Sequence, residues 1–376
     1  MSDIMDLCER SPAYVRAIAP YQPGKPITEL AREFGIDERS IVKLASNENP
    51  RGISPKALAA VKAALPDLGR YPDGFDLTRA LSQHLVVPMQ SIVLGNGSND
   101  VLELAGMAFL VPGSSAVYSQ HAFAVYPLAT QARGARSIVT PAKDFGHDLE
   151  AMLAAIRPDT RVVFIANPNN PTGTMLSASA LEAFLSRAPK NVVIVVDEAY
   201  NEYLDPALRC PSIAWVERFP NLIVTRTFSK VYGLAGLRVG YAVCHAEVAA
   251  LLNRVRQPFN VNNLALAAAV AALDDADFVR ESFELNVAGM KQLVEGCKRL
   301  GLAWIPSYGN FVSIEIPREG GDGQSQAGAV FQKLLQQGVI VRPLAGYAMP
   351  DHLRVTIGLA AENTRFLEAL ETVLEA

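Results

Sequence analysis

The sequence TFSKVYGLAGLRVG occupies residues 227–240 and follows an apolar run, residues 222–225, that predicts a buried strand. Within it, Lys230 lies between hydroxyl-bearing residues and glycines, eight residues before Arg238. A lysine in such a loop can form a Schiff base when burial or neighbouring cations lower its pKa. The hydroxyls and Arg238 suit a phosphate ester, so the segment predicts an aldehyde cofactor with a phosphate group, pyridoxal phosphate. A glycine-rich turn with a surface lysine is the alternative interpretation.

Two carboxylates end another predicted strand, which lies upstream of this segment. Residues 192–196 are all Val or Ile, a pattern typical of a parallel strand buried on both faces, and Asp197 and Glu198 follow directly. Ligands of open parallel sheets bind beyond the carboxyl ends of the strands, so a carboxylate at this place faces the site. Asp197 can pair with a protonated pyridine nitrogen, and Tyr200 can hydrogen-bond the ring oxygen. A helix N-cap at Asp197 is the alternative.

Another buried strand, residues 162–166, runs into the turn NPNNPTG at residues 167–173. Two prolines and a glycine restrict the path of that turn, so Asn170 can present its amide to the ring oxygen or to a substrate anion.

A further strand, residues 92–94, leads into the turn GNG at residues 95–97 and then into a helix. Backbone N–H groups and the helix dipole form an anion site at such a place, with Ser98 and Asn99 at its lip. The pattern is not the dinucleotide fingerprint, because Asp100 replaces the third glycine. In combination with the other segments, it predicts the phosphate pocket.

These segments resemble motifs of the fold-type-I pyridoxal-phosphate aminotransferases and, within that family, of the histidinol-phosphate aminotransferases. The resemblance runs from about Tyr14 to the C-terminus and includes APYQPGK at 19–25, KLASNENP at 43–50, RYPDG at 70–74, VIVR at 339–342 and LRVTIG at 353–358. It implies an α/β fold, with a large, mostly parallel seven-stranded sheet domain sandwiched by helices and a smaller α+β domain. It also implies a homodimer whose two subunits share each active site.

The resemblance assigns roles to individual residues. It implies that Lys230 forms the Schiff base and then moves a proton at the substrate Cα, while Asp197 binds the pyridinium nitrogen. The other implied cofactor contacts are Tyr200 and Asn170 at the ring oxygen, Phe123 stacked on the ring, Ser98, Asn99, Thr227, Ser229 and Arg238 around the phosphate, and Tyr71 from the partner subunit. The implied substrate contacts are Tyr21, Asn47, Asn170, Arg342 and Arg354. Ordinary core packing remains the alternative for Phe123.

The implied activity is reversible ping-pong transamination in histidine biosynthesis. It exchanges the amino group between L-histidinol phosphate or its imidazole-acetol phosphate ketone and the pair glutamate and 2-oxoglutarate. Similar sequences act on aromatic amino acids or decarboxylate a phosphorylated amino acid, so both activities remain alternatives. A non-enzymatic regulator is disfavoured, because the chain has no basic segment that could form a DNA-binding domain.

Composition limits the partners and the compartment. A chain of 376 residues that is 50% hydrophobic can bury one large core and a smaller one, and a formal net charge of −4 gives no attraction to nucleic acid. Cys8, Cys210, Cys244 and Cys297 lack metal-binding spacing, so they predict free thiols in a reducing compartment, the cytoplasm, and no metal site. The longest alanine and leucine run, residues 264–273, is too short to span a membrane.

The alternation of strand-like and helical patterns divides the chain into three ranges. We predict an N-terminal arm at 1–43 that joins the small domain and the dimer partner, a large cofactor-binding domain at 44–263 and a small α+β domain at 264–376. The large domain is expected to contain strands at 92–94, 116–118, 137–139, 162–166, 192–196, 222–225 and 239–243. The small domain is expected to contain a helix at 281–300 and strands at 311–316, 339–341 and 354–357.

Overall fold

The computed structural model describes residues 7–20, 24–318 and 323–375, so Tyr21 and part of the glycine-rich segment 320–328 lie outside the described residues. The strands, in chain order, are Val42–Lys43 (β1), Ile92–Gly95 (β2), Ser115–Ser119 (β3), Arg136–Thr140 (β4), Ala142–Lys143 (β5), Gly146–His147 (β6), Thr160–Ala166 (β7), Val193–Asp197 (β8), Leu222–Thr227 (β9), Gly240–Cys244 (β10), Trp304–Ile305 (β11), Phe311–Glu315 (β12), Val339–Ile340 (β13), Arg342–Pro343 (β14) and His352–Thr356 (β15).

Seven of these strands form one large sheet in the order β2-β10-β9-β8-β7-β3-β4. Only β10 runs antiparallel to its neighbours in that sheet, β2 and β9. The other pairs, β3 with β4 and β7, and β8 with β7 and β9, are parallel. The predicted seven-stranded, mostly parallel sheet is therefore confirmed, and the carboxyl ends of β2, β3, β7, β8 and β9 lie along one edge.

Helices cover both faces of this sheet because the strands are apolar on both sides. Along β7, Val163 and Ile165 belong to one buried cluster, and Val162 and Phe164 belong to another. The α-helices whose bounds lie within the described residues are Ala13–Arg16, Ile27–Phe34, Pro55–Ala64, Phe75–Leu85, Ser98–Phe109, Val125–Gln131, Leu149–Ala154, Ala178–Arg187, Ser212–Trp215, Ala246–Val255, Asn263–Leu273, Ala276–Arg299, Ala327–Gln336 and Ala360–Glu375.

Short polar side chains determine where several helices begin. The side chains of Ser54, Asp148, Ser177 and Asn262 each accept a hydrogen bond from the backbone N–H three residues later. Each such cap satisfies an N–H group that has no partner within the helix and contributes about 1 kcal/mol.

The small sheet is antiparallel, with strand order β11-β12-β15-β14. Its core joins Val312 and Val355 of the strands to Leu293, Phe366 and Leu370 of the helices behind them. The N-terminal segment packs on this domain, because β1 pairs in parallel with β13 and Leu30 contacts the cluster around Ile340.

The three domain ranges stay a prediction. The packing of one helix is relevant to the predicted boundary between the large and small domains. The helix Asn263–Leu273 follows the predicted boundary at residue 263, yet Ala265, Leu266 and Ala269 lie in the core of the large sheet. This helix contacts Pro55–Ala64 along its length. A boundary drawn from packing would therefore fall after residue 273.

Candidate active site

A cavity of about 190 Å³ opens at the carboxyl edge of the large sheet, where it meets β14 and β15 of the small sheet. The predicted site residues that line it are Asn47, Ser98, Asn99, Phe123, Asn170, Asp197, Tyr200, Thr227, Ser229, Lys230, Arg238, Arg342 and Arg354. Parallel strands bring their loops to the same edge, which is why residues as far apart in the sequence as Ser98 and Lys230 meet here.

Lys230 reaches this cavity from the loop after β9. Its Nζ donates a hydrogen bond to the Ser46 carbonyl at 3.1 Å. Burial lowers the pKa of Lys230 to about 8, and the positive charges of Arg354 and Arg238 act in the same direction, against Glu48 and Asp197. More of its amine is therefore neutral near pH 7 than in an exposed lysine, and only the neutral amine acts as a nucleophile or base.

Gly233 holds the Lys230 loop against the N-terminal part of the chain. Its φ is +70°, and a Cβ there would lie 1.9 Å from the Gly52 carbonyl oxygen. Only glycine permits both this backbone conformation and so close an approach. Asn49 adds a hydrogen bond of 2.7 Å to the Val231 carbonyl.

Asp197 ends β8 and is buried. Thr225 Oγ1 donates to its Oδ1 at 3.0 Å, and the Tyr126 hydroxyl donates to its Oδ2 at 3.1 Å. Burial raises the pKa of Asp197 to about 6, while these two hydrogen bonds oppose the rise. A buried carboxylate with such partners is a strong acceptor for a protonated ring nitrogen.

Tyr200 is linked to the small domain through Asn47. Asn47 Nδ2 donates to the Tyr200 hydroxyl oxygen at 2.8 Å, and the Thr356 hydroxyl donates to Asn47 Oδ1 at 3.1 Å. Because an amide N–H already occupies the phenol oxygen, the single O–H of Tyr200 can point into the cavity as a donor. Burial raises the pKa of Tyr200 to about 12, so this hydroxyl stays protonated at neutral pH.

An anion pocket forms where the helix Ser98–Phe109 begins. Gly97 has φ +81°, and a Cβ there would lie 2.5 Å from Arg238 Nη2, while a Cβ on Gly240 would lie 2.4 Å from the Ser98 nitrogen. The two glycines thus keep the guanidinium and a helix N-terminal N–H accessible. Arg238 Nη1 also donates to Ser229 Oγ at 3.2 Å, which orients that hydroxyl.

Two arginines lie on neighbouring strands of the small sheet, at the other side of the cavity. Arg342 of β14 is paired in register with Arg354 of β15. Arg354 is buried, and it donates to Asn170 Oδ1 at 2.5 Å and to the Ala45 carbonyl at 2.7 Å. Its guanidinium lies 5.3 Å from the centre of the Phe311 ring. Both guanidinium-bearing residues line the cavity, and a planar guanidinium is able to pair with an anion.

Comparison with known proteins agrees with this geometry. Residues 39–370 match the family model for aminotransferase class I and II. Histidinol-phosphate aminotransferase 2 of Nitrosospira multiformis is 60% identical over 99% of this chain and 93% of its own length. Histidinol-phosphate aminotransferase 1 of Dechloromonas aromatica is 62% identical over 98% of this chain and 100% of its own length. The chain belongs to the class I and II aminotransferase family.

The fold of this aminotransferase also matches a solved structure. The crystal structure of histidinol-phosphate aminotransferase from Sinorhizobium meliloti, in complex with pyridoxal-5'-phosphate, superposes with a TM-score of 0.88 at 28% identity and covers 97% of this chain and 98% of that chain. The predicted fold class is therefore confirmed.

The residues of the cavity fit pyridoxal phosphate. The glycine-bounded pocket at Ser98 and Arg238 suits its phosphate, the hydrogen-bonded Asp197 suits its ring nitrogen, and the amine of Lys230 suits its aldehyde.

No group of three or more His, Cys, Asp and Glu side chains that could hold a metal ion occurs in the described residues. Within those ranges, no helix has the length and apolar character needed to cross a membrane.

Among the predicted site residues that the structure describes, Tyr71 is the one that does not line this cavity. It is 80% exposed and stacks on Phe259 with ring centroids 4.4 Å apart.

The sequence did not predict several contacts at the site, namely those of Ser46, Tyr126 and Thr225. Tyr126 and Thr225 lie within apolar segments whose sequence pattern predicts ordinary buried elements. No local signal therefore distinguishes them from residues of the core.

Proposed function

We propose that this aminotransferase transfers the amino group reversibly between L-histidinol phosphate and 2-oxoglutarate, with pyridoxal phosphate as its cofactor. The family, the names of the relatives at about 60% identity and the cofactor in the S. meliloti structure support this proposal. When bound, pyridoxal phosphate carries the amino group from the first substrate to the second and withdraws electrons from the substrate Cα.

The chain's own residues supply binding and proton transfer. Lys230, with a pKa of about 8, is able to accept a proton from the substrate Cα and return it at the end of the exchange. Asp197 would hold the ring nitrogen protonated, which would strengthen the withdrawal of electrons from the substrate Cα. When the cofactor is bound, the Tyr200 hydroxyl would donate to its ring oxygen, and Asn47, which donates to the Tyr200 oxygen at 2.8 Å, would orient that hydroxyl.

The proposed substrate rests on Arg342 and Arg354, which lie directly opposite each other on the neighbouring strands β14 and β15. Both line the cavity that contains Lys230. Histidinol phosphate brings a phosphate, and glutamate and 2-oxoglutarate bring carboxylates, so one pocket must accept different anions in turn. A guanidinium pairs bidentately with either group. The small-sheet arginines therefore suit both halves of the exchange.

A donor panel tests this function. The holoenzyme is mixed with histidinol phosphate, phenylalanine or a phosphorylated amino acid, and the absorbance change of the bound cofactor is recorded in single turnover. We expect histidinol phosphate to give the highest kcat/KM and 2-oxoglutarate to restore the starting spectrum. A preference for phenylalanine would favour the aromatic alternative, and release of carbon dioxide would favour the decarboxylase.

Arg342→Ala is expected to lower kcat/KM for histidinol phosphate by about 30-fold or more, equivalent to about 2 kcal/mol, because an anion then loses its charged partner. The loss for phenylalanine, which has no phosphate, should be much smaller. Arg365→Ala, on an exposed helix surface, is the control and should change neither value. Equal losses for the two donors would contradict the phosphate-binding role of Arg342.

We also infer that the enzyme is a homodimer. Large apolar side chains at Leu65, Leu68, Tyr71, Phe75 and Phe259 are each about half exposed or more. Tyr71 and Phe259 form a stacked pair, and Phe75 lines the same surface cavity. Single exposed apolar residues are common, but several grouped in this way are typical of an interface. A second copy of this chain is the proposed occupant, and we propose that Tyr71 reaches the phosphate pocket of that copy.

Tyr71→Phe is expected to weaken pyridoxal phosphate binding about tenfold, because one hydrogen bond to a charged acceptor is lost while the ring remains. Equilibrium dialysis measures this affinity. Tyr308→Phe is the control, since Tyr308 is also exposed but lies at a different cavity. Sedimentation should give a dimer, and Leu68→Glu should convert it to a monomer with impaired cofactor binding. A fully active monomer would refute the shared site.

The compartment is proposed from the cysteines. Cys8, Cys210, Cys244 and Cys297 are all free thiols. Free thiols persist in reducing compartments, which favours the cytoplasm.

A further inference from the structure

Tyr126 lies beneath the cofactor cavity without lining it. Its side chain is fully buried on the helix Val125–Gln131, and its ring stacks on Phe164 of β7 with centroids 4.9 Å apart and an interplanar angle of 6°. Phe123, at the cavity wall, packs edge-on against it at 6.0 Å. The ring is therefore held in one orientation by packing from two sides.

This orientation directs the Tyr126 hydroxyl at Asp197. The O–H donates to Asp197 Oδ2 at 3.1 Å, and Thr225 donates to the other carboxylate oxygen at 3.0 Å. Burial and the nearby Asp197 charge raise the pKa of Tyr126 well above its usual value, so the phenol keeps its proton and acts as the donor. Each oxygen of Asp197 thus receives one hydroxyl hydrogen bond from a different element of the large sheet domain.

The neighbouring charged and titratable groups do not take over the role of these two hydroxyls as hydrogen-bond donors to Asp197. Glu198 follows it on the chain, and its negative charge disfavours a second carboxylate. Glu198 is itself bound to Arg226, with Nη2 at 2.8 Å, and to Ser212. Tyr200 and Lys230 face Asp197 from the cavity side.

We propose that Tyr126 is a positioning residue that keeps Asp197 ionised and aimed at the cofactor ring nitrogen. The inference rests on the proposed function, in which Asp197 binds that nitrogen. A carboxylate can accept hydrogen bonds along several lone-pair directions. When a hydroxyl donates to each oxygen, fewer of these directions remain for a third partner such as the ring nitrogen. Hydrogen bonds to the charged form also favour the ionised state of a buried carboxyl group. Tyr126 acts through Asp197 and touches no substrate.

Tyr126→Phe in the holoenzyme tests this proposal, because it removes the hydroxyl and retains the stacked ring. We expect the acidic limb of the kcat profile to move to higher pH by about one unit, since loss of one donor to a charged group has about that effect. We expect kcat to fall about twofold near pH 7, because a shift of the Asp197 pKa from about 6 to about 7 roughly halves its ionised fraction there, with KM for the amino donor unchanged. Dialysis of the holoenzyme should show pyridoxal phosphate dissociating about tenfold more readily.

Tyr118→Phe is the matched control. Tyr118 is a buried tyrosine in the same cluster, with its ring 6.5 Å from that of Tyr126, and its hydroxyl bonds Ser137 instead of Asp197. Thr225→Val removes the other donor and should move the acidic limb in the same direction as Tyr126→Phe. It also tests the proposal if Tyr126→Phe does not fold.

The outcomes separate the possible roles. An unmoved acidic limb and unchanged cofactor dissociation in Tyr126→Phe and Thr225→Val, with only a lower melting temperature, would overturn the proposal and leave a packing role. An equal shift in Tyr118→Phe would also overturn it. All profiles use the donor that the enzyme turns over fastest, so a failure of the histidinol-phosphate assignment would appear in the donor panel and leave this test intact.

Discussion

Lys230→Ala is expected to lower kcat by about 10⁴-fold or more and to remove the visible absorbance of covalently bound cofactor. Proton transfer by a positioned base contributes about 10²–10⁴-fold by itself, and the variant also loses the amine that bonds the cofactor. No other lysine lines this cavity among the described residues, so none can take over. Stopped-flow measurement of transamination, with the absorbance spectrum of the same sample, determines both effects.

Lys43→Ala is the control for that experiment. Lys43 lies on β1, near the segment that contacts Lys230, but it pairs with Glu48 and does not line the cavity. It should retain full activity and a normal spectrum. Lys230→Arg should be as inactive as Lys230→Ala, because a guanidinium keeps the charge but stays protonated. Near-normal turnover in either Lys230 variant would contradict the whole assignment of the site.

Asp197→Asn is expected to have the second largest effect, a fall in kcat of about 10³-fold with a small change in KM. The amide has nearly the same shape, but it cannot supply a negative charge to a protonated ring nitrogen, and loss of one partner from a buried charge pair costs about 3–5 kcal/mol. The variant should still bind the phosphate of the cofactor through the pocket at Arg238. Steady-state kinetics and cofactor affinity measured in parallel separate the two contributions.

Glu198→Gln provides the comparison for Asp197→Asn. Glu198 is the next residue and is equally buried, but its carboxylate binds Arg226 and Ser212 instead of facing the cavity. Its loss should lower the melting temperature and leave kcat within a few-fold of the wild type. If Asp197→Asn behaved in the same way, Asp197 would be a structural residue at the end of β8.

The sequence alone determined the strands of the large sheet and the residues at their ends. Runs such as 192–196 and 162–166 are apolar on both faces, and only a strand covered by helices on both sides buries them completely. Once those runs are parallel, the polar residues that follow each one must gather at a single edge. Lys230, Asp197 and Asn170 were therefore predictable together, from local patterns.

Contacts between distant segments were decided by the tertiary structure. The antiparallel direction of β10, the register that sets Arg342 opposite Arg354, and the hydrogen bond from Tyr126 to Asp197 depend on how separate elements pack. No local pattern carries this information, because a buried tyrosine has the same sequence neighbours whether or not its hydroxyl reaches a carboxylate. Periodicity shows which face of an element is buried, and packing alone selects the atom that each buried polar group meets.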